Sequence, residues 1–218
     1  MPIQIRPYQA SDRAAVRHVC CETGYLGNPI EPVYRDRPSF ADLITRYYTD
    51  HEPESALVVD VDGKVVGYLL GCLDSTKAFH PERIALEHVL KRGVCFRPGT
   101  AGFYWRSLRD VAVDTARGAA QRHQPDLGKW PGHTHFSVLP EARNLPVVPG
   151  LFRQFFKLAR ERGCHGVHGE VFVENERAMA MHKALGFSTH GVAWPVPGMR
   201  TPSGARMHVQ FWTRTTER

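Results

Sequence analysis

The sequence lacks the features that mark several classes of protein. No apolar run approaches the roughly 18–20 residues of a membrane-spanning helix, and no block of five or more like charges occurs. The cysteines are few and odd in number, five in all, and they are spread from Cys20 to Cys164, whereas a disulfide framework is dense and usually even-numbered. These absences argue against a membrane protein, a disulfide-stapled protein and a chain with a basic tail.

The composition that is present fits a folded domain. Hydrophobic residues make up 42% and charged residues 23% of 218 residues, which excludes a disordered chain and predicts one domain over residues 1–218. Residues 1–13 hold no apolar signal segment, so we expect reduced thiols and a cytoplasmic location. The net charge of +6 comes from scattered Lys and Arg, and without clustering it predicts neither specific nucleic-acid binding nor membrane binding.

Local patterns predict an alternation of strands and helices. Asp62–Gly63 lies between two β-rich runs, 56–61 and 64–73, and this pair favours the tight turn of a β-hairpin. The remaining pattern predicts strands at 3–6, 133–139 and 167–173, a terminal hairpin at 187–194 and 205–213, and helices at 12–23, 40–49, 149–162 and 175–185. Segment 76–132 is less regular and holds helix candidates at 81–92 and 103–122. This order predicts a mixed α/β sheet, partly antiparallel, in which one helix crosses between two core strands.

Two motifs carry the functional signal. The first is a loop that leads from strand 133–139 into the next helix and contains Arg143, Pro146 and Val148. The second lies on the following helix and reads Asn175, Ala178, His182, Gly186 and Phe187. Together with the hairpin, these motifs resemble the GNAT superfamily of acetyl-CoA-dependent N-acetyltransferases. The sequence segments that begin at Gly67 and Pro131 are most similar to the acetyltransferase-like domain of O-GlcNAc hydrolases and its free-standing bacterial relatives.

The resemblance implies a fold and an activity. The expected fold is a GNAT-like mixed, partly antiparallel sheet flanked by helices, with a helical insertion between the third and fourth strands at about 76–132 and a CoA-binding core at about 133–190. The expected reaction moves an acetyl group from acetyl-CoA to an amine by direct attack. The acceptor is an amine-bearing small molecule or protein, and a homodimer is a further expectation.

The phosphate-binding loop departs from the pattern of the family. In relatives the loop begins with Arg or Gln and then carries two small residues, which let backbone N–H groups approach a pyrophosphate at a helix start. Arg143 keeps the first position, but Pro146 removes a donor and Val148 adds a branched side chain. The helix start still offers N–H groups. By resemblance, the residues expected to hold acetyl-CoA are Val138, Arg143, Val148, Gly150, Leu151, Asn175 and Ala178.

Three residues are candidates for the chemistry. His182 stands where relatives often carry a Tyr that protonates the departing thiolate; a histidinium could do this, or the ring could simply pack on the cleft. His135 is a candidate base, since it shares one strand face with His133, or else it is a half-buried, hydrogen-bonded strand residue. Asp74 is a second candidate base, or the cap of a turn. The resemblance also implies that the backbone N–H of Val138 polarises the thioester carbonyl.

Two other readings stay open for the function. Pro146, Val148 and His182 support a catalytically degenerate GNAT-fold module that binds acetyl-CoA weakly or not at all. The pairs His133/His135 and His165/His168 raise the question of a metal, but the usual short-spaced Cys or carboxylate ligands are missing beside them, so we predict no metal. Nucleic-acid binding rests on the net charge alone.

Overall fold

One seven-stranded sheet organises the chain. A computed structural model describes residues 3–76, 81–118 and 124–217. Its sheet has the order β1-β2-β3-β4-β5-β7-β6, and the strands are β1 (Ile3–Pro7), β2 (Ala56–Val61), β3 (Lys64–Cys72), β4 (Gly132–Val138), β5 (Gly166–Phe172), β6 (Ser188–Arg200) and β7 (Arg206–Thr215). The helices are α1 (Arg13–Thr23), α2 (Arg37–Asp50), α3 (Pro81–Arg92), α4 (Ala101–Ala116), α5 (Val147–Glu161) and α6 (Glu176–Ala184).

Strand pairing confirms the predicted mixed sheet. The pair β4–β5 is parallel, because α5 carries the chain back across the sheet between them, and the other pairs are antiparallel. Asp62 and Gly63 both adopt positive φ, at 52° and 81°, as the turn of the β2–β3 hairpin requires. The sheet is flanked by α1 and α2 on one face and by α5 and α6 on the other.

Several predicted boundaries move in the structure. Helix α2 begins at Arg37 because the Asp36 side chain caps it by accepting the N–H of Ser39 at 3.0 Å. Helix α5 begins at Val147, two residues before Pro149. The helix predicted at 103–122 is α4, which ends at Ala116, while 119–123 lie outside the described residues. The Pro/Gly-rich stretch predicted as a loop near 195–200 belongs to β6, which accommodates it with irregular pairing.

The main hydrophobic core lies between the sheet and the helices α1, α2 and α5, and a second core covers β6 and β7. Tyr25 and Tyr34, from the segment between α1 and α2, pack with Met199 and Met207 of the last two strands. Helix α4 joins this core through Phe103 and is held on β6 by Asp110, a buried carboxylate (4% exposed) that accepts the N–H of Gly198 and the guanidinium of Arg200. The chain between β3 and β4 therefore contains two helices, and its status as an insertion relative to other proteins stays a prediction. None of the described helices is long and apolar enough to cross a membrane.

Candidate active site

Strands β4 and β5 separate after a short common stretch. They pair through only two positions, Gly132 with Val167 and His133 with His168, although β4 continues to Val138 and β5 to Phe172. The two edges then diverge and leave a wedge between them. We call this wedge the β4–β5 cleft; its inner end lies at His133 and His168, and its mouth lies at Val138.

The edge of β4 presents backbone donors to the cleft. The N–H of Leu139 donates to Val66 O at 2.8 Å on the β3 side. Because backbone groups alternate along a strand, the N–H groups of Val138, Phe136 and Thr134 point the other way, toward β5. Val138 is thus placed where its N–H can meet a ligand in the cleft.

Two guanidinium groups lie at the mouth. Arg143 Nε donates to Val138 O at 3.2 Å, and its terminal nitrogen donates to Gly27 O. The exposed Arg177, in the first turn of α6, donates to Arg143 O at 3.4 Å. Burial, together with the charge of Arg177, lowers the pKa of Arg143. This repulsion between neighbouring cations favours an anion at the mouth.

The loop at the mouth retains few backbone donors. Pro146 and Pro149 have no N–H, and they occupy two of the four positions whose N–H groups a helix start leaves unbonded. The N–H of Val147 is already bonded to Leu145 O at 2.8 Å. Among residues 143–150, this leaves the N–H groups of Asn144 and Val148 without a backbone partner in the described structure. The predicted phosphate-binding loop therefore has fewer free backbone donors but still has some.

Two predicted cofactor residues face away from the cleft. A Cβ atom placed on Gly150 would lie 2.4 Å from Ile5 Cδ1, so this glycine permits close packing of α5 on β1. The side chain of Leu151 is fully buried in the main core. By helix geometry, the N–H of Leu151 bonds to Val147 O within α5, whereas the acceptor offered to the N–H of Gly150 is Pro146 O, just outside the helix. Val148 also buries its side chain in this core and keeps only its N–H for a ligand.

The second motif forms the start of α6. Asn175 caps the helix, and its side-chain oxygen accepts the N–H of Ala178 at 3.1 Å. Ala178 is half-buried against the main core. Both residues thus lie at the mouth beside Arg177, and Asn175 fixes where the helix begins.

His182 closes the α5 side of the inner end. Its ring is 5% exposed and is surrounded by Phe136, Phe187 and Trp212, with centroids 5.3–5.8 Å away. Its Nδ1 lies 2.8 Å from Ala178 O, so Nδ1 carries the proton that is donated to this carbonyl. Burial lowers the pKa of His182. Near neutral pH the ring is therefore neutral and Nε2 has no proton to give, so the predicted role as a proton donor would require prior protonation.

A group of histidines lies on the opposite face, beneath α1 and α2. His135 Nδ1 lies 3.3 Å from the hydroxyl of Tyr68, and the two rings stack at 5.7 Å. His133 Nδ1 lies 2.6 Å from the hydroxyl of Tyr48. Burial lowers the pKa of His135 to about 4 and that of His133 to about 3. His135 is thus unprotonated near pH 7, as a base must be, but it is also only weakly basic.

Asp74 lies away from the mouth. It follows β3 two residues beyond Cys72, which pairs with His133, whereas Gly67 pairs with Val138. The span from Gly67 to Asp74 corresponds to roughly 20 Å of extended chain. Asp74 Oδ1 accepts the N–H and the hydroxyl of Thr76, at 3.1 and 2.6 Å. The structure therefore gives Asp74 the turn-capping contacts and does not bring it to Val138.

The inner end also holds polar groups that sequence reasoning missed. Thr134 and Trp212 are each 6% exposed, and neither Thr134 Oγ1 nor Trp212 Nε1 has a hydrogen-bond partner among the described residues. Gly169 lies between them and pairs with Trp212. The glycine inside a strand was the available signal, since such glycines often mark a close approach. By contrast, the described residues bring no group of three or more metal-type ligands together.

Comparison with known proteins identifies the family. The sequence model of the acetyltransferase (GNAT) family matches residues 25–187, well over half of the chain. The chain belongs to the GNAT acetyltransferase family. The predicted membership and GNAT-like fold are thus confirmed. Members of this family bind acetyl-CoA.

Solved structures share the whole fold of this GNAT chain. The crystal structure of SsHAT is 24% identical with a TM-score of 0.67, and the match covers 100% of both chains. The putative acetyltransferase yncA from Salmonella typhimurium, with its cofactor acetyl-CoA, is 14% identical with a TM-score of 0.58, covering 100% of this chain and 96% of that one. A phosphinothricin acetyltransferase from Sinorhizobium meliloti, in complex with acetyl-CoA, is 17% identical with a TM-score of 0.58, covering 99% and 89%. At these identities the similarity establishes the fold.

The cleft of this GNAT chain fits acetyl-CoA. Unpaired β4 N–H groups suit the amide-containing arm of CoA. Arg143, Arg177 and the N–H of Val148 suit its pyrophosphate. The unpartnered donors Thr134 Oγ1 and Trp212 Nε1 suit a carbonyl at the inner end.

Proposed function

We propose that this GNAT protein is an N-acetyltransferase that moves the acetyl group of acetyl-CoA to an amine. The observation that carries the proposal is the separation of β4 and β5 beyond His133 and His168, which exposes backbone donors of β4 in a wedge with cations at its mouth. In a GNAT family chain, this wedge is the place for the thioester arm. Bound acetyl-CoA supplies an activated acyl group.

The residues of this chain then bind and orient the reactants. Arg143, Arg177 and the N–H of Val148 hold the phosphates at the mouth, and Asn175 and Ala178 border the same opening. We assign the N–H of Val138 to the arm of acetyl-CoA that carries the thioester. As the amine nitrogen attacks the carbonyl carbon, the N–C bond forms and the C–S bond breaks, and the sulfur leaves as the thiol once it has gained a proton.

We assign the two proton transfers of the reaction to histidines on opposite faces of the sheet. His135 lies on the α1 face and is unprotonated near pH 7, so we propose that it accepts the proton of the attacking ammonium, through water where the distance requires it. His182 lies on the α5 face beside the cleft. Its neutral ring helps to shape the inner end of the cleft. His182 protonates the sulfur only in the small fraction of molecules in which the ring is protonated. Asp74 remains a weaker candidate because its carboxylate caps the following turn through Thr76.

The finer features of the proposal rest on the sequence. The acceptor is an amine carried by a small molecule or a protein, in line with the amine acceptors of the family. A homodimer, a cytoplasmic location and a closer relationship to the acetyltransferase-like domain of O-GlcNAc hydrolases are proposed on the same basis.

A specific observation favours a second candidate, a degenerate module. Pro146 and Pro149 remove two backbone donors from the phosphate loop. Arg143 is also engaged with the protein's own carbonyls, Val138 O and Gly27 O. Such a chain would keep the fold while binding acetyl-CoA weakly or not at all.

Calorimetric titration with acetyl-CoA separates the two functions. We expect saturable binding, and we expect Arg177→Gln to weaken CoA more than pantetheine, which lacks the pyrophosphate. No heat and no thermal stabilisation at millimolar acetyl-CoA would leave the degenerate module as the function. If binding is seen, amines are screened by mass spectrometry of the acetylated product. Thiol reagents are unsuitable here, because the partly exposed Cys95 would react with them.

A further inference from the structure

The inner end of the β4–β5 cleft contains two buried donors with no acceptor. Thr134 lies on β4 and Trp212 on β7, and each side chain is 94% buried (6% exposed). Thr134 Oγ1 and Trp212 Nε1 have no hydrogen-bond partner among the described residues. Leaving such groups unpaired is costly, so the pair points to a ligand atom that accepts hydrogen bonds.

Gly169 leaves space beside Thr134, on the sheet face that also carries Trp212. A Cβ atom placed on Gly169 would lie 3.3 Å from Thr134 O and 3.6 Å from Thr134 Oγ1, so the hydroxyl is directed over the glycine. Trp212 pairs with Gly169 from the other side in the β5–β7 ladder, and paired residues share a sheet face. We call this space the Gly169 niche.

The described residues around the niche offer neither donor another hydrogen-bond acceptor. His182 covers it from α6, with its ring centroid 5.8 Å from that of Trp212. His182 Nδ1 is used by Ala178 O, which makes the neutral ring an acceptor at Nε2, and Nε2 accepts no bond from Trp212 Nε1. The other walls include the apolar ring of Phe136. The niche is thus lined by aromatic rings and by donors from two strands.

We propose that Thr134 Oγ1 and Trp212 Nε1 donate to the carbonyl oxygen of the acyl thioester and form an oxyanion hole made of side chains. The proposal rests on the proposed acetyltransferase function and deepens it. Thr134 and Val138 are four residues apart, or about 13 Å along a strand, so they contact different parts of the thioester arm. The carbonyl then lies at the niche, and the N–H of Val138 bonds to the arm nearer the mouth.

The chemistry suits the donors. As the amine attacks, negative charge develops on the carbonyl oxygen, and prepositioned donors in a water-excluded site stabilise it. A thioester carbonyl oxygen has two lone pairs and no hydrogen, so it can accept both hydrogen bonds. Gly169 has no side chain to displace it.

Carbon-13 NMR of carbonyl-labelled acetyl-CoA bound to the full chain tests the proposal without knowledge of the acceptor. Donation to the oxygen draws electrons from the carbonyl carbon, so its resonance moves downfield on binding. We expect Trp212→Phe and Thr134→Val each to remove about half of this shift, in keeping with two donors of similar strength. Thr134→Ser, which keeps the hydroxyl, retains it. Trp194→Phe, a change at another buried Trp on β6, is the matched control for loss of an indole and also retains it.

The outcomes are distinguishable. A downfield shift that persists in both Trp212→Phe and Thr134→Val, or wild-type binding without any shift, overturns the side-chain oxyanion hole while the acetyltransferase proposal stands. Absence of acetyl-CoA binding in calorimetry overturns the proposed function and this inference with it. Once an acceptor is known, each variant should lower kcat about 100-fold with little change in the KM for acetyl-CoA, whereas general loosening of the fold would raise KM as well.

Discussion

The two ends of the β4–β5 cleft are built in opposite ways. At the inner end, Phe136, Phe187 and Trp212 enclose His182, and two buried polar atoms have no hydrogen-bond partner within the described ranges. At the mouth, the exposed Arg177 approaches the loop, and prolines replace backbone donors. The fold therefore fixes the end where the acyl group would react more firmly than the end where the phosphates would bind. We therefore expect changes at the mouth to alter the affinity for CoA and changes at the inner end to alter packing and the geometry of the reacting end.

Breaking the packed inner end should have the largest effect. Phe152 is 1% exposed and contacts Phe136, Phe156 and Phe187, with centroids 5.1–5.6 Å away. Phe152→Ala removes these contacts and leaves a cavity, which we expect to lower the free energy of unfolding by about 3–5 kcal/mol. Urea unfolding measures the change.

The neighbouring exposed position supplies the control for this variant. Arg153→Ala on the same helix should change the free energy of unfolding by less than about 0.5 kcal/mol. A loss below about 1 kcal/mol for Phe152→Ala would show that the inner end collapses around the cavity and is less rigid than its packing indicates.

Local signals predicted much of this architecture and only part of the cleft. The β2–β3 hairpin followed from Asp62–Gly63, and the start of α6 from Asn175, because each depends on residues next to it in sequence. The second half of β6, residues 195–200, was missed because Pro195 and Gly198 usually end strands, and only the irregular pairing with β7 accommodates them. Trp212 was missed for a different reason. Its place beside Gly169 follows from the order β5-β7-β6, which no local pattern encodes.

Acid should weaken the inner end through its buried histidines. The pKa of His133 falls to about 3 and that of His135 to about 4 because burial disfavours the charged rings, whereas an unfolded histidine titrates near 6.5. Below about pH 6.5 these histidines bind protons in the unfolded chain but not in the folded chain. Stability is therefore complete above pH 6.5 and declines as the pH falls toward 4, with each such histidine contributing up to about 1.4 kcal/mol per pH unit.

Urea unfolding between pH 7.5 and 4.5 tests this dependence. His133→Gln keeps a polar group near the Tyr48 hydroxyl but cannot titrate, so it should flatten the slope. Equal slopes for wild type and His133→Gln would mean that His133 is protonated as easily in the folded chain as in the unfolded one.

Restoring a donor at the mouth should produce the smallest effect and the sharpest contrast between the two ends. Pro149 is the third residue of α5, a position whose N–H points out of the helix start toward a bound anion. Pro149→Ala adds that N–H at little cost to the helix, since Ala is the best helix former. A hydrogen bond to a charged group contributes about 1.5 kcal/mol or more, so binding of CoA should tighten about tenfold in calorimetry. Binding of pantetheine, which lacks the pyrophosphate, should not change.

Pro140→Ala, in the turn before the loop, adds an N–H outside the helix start and should leave both affinities as they are. Equal tightening toward CoA and pantetheine would mean that the new N–H contacts the pantetheine arm instead of the phosphates. No tightening at all would mean that the phosphates bind away from α5. In that case the missing donors at the mouth would not explain weak binding.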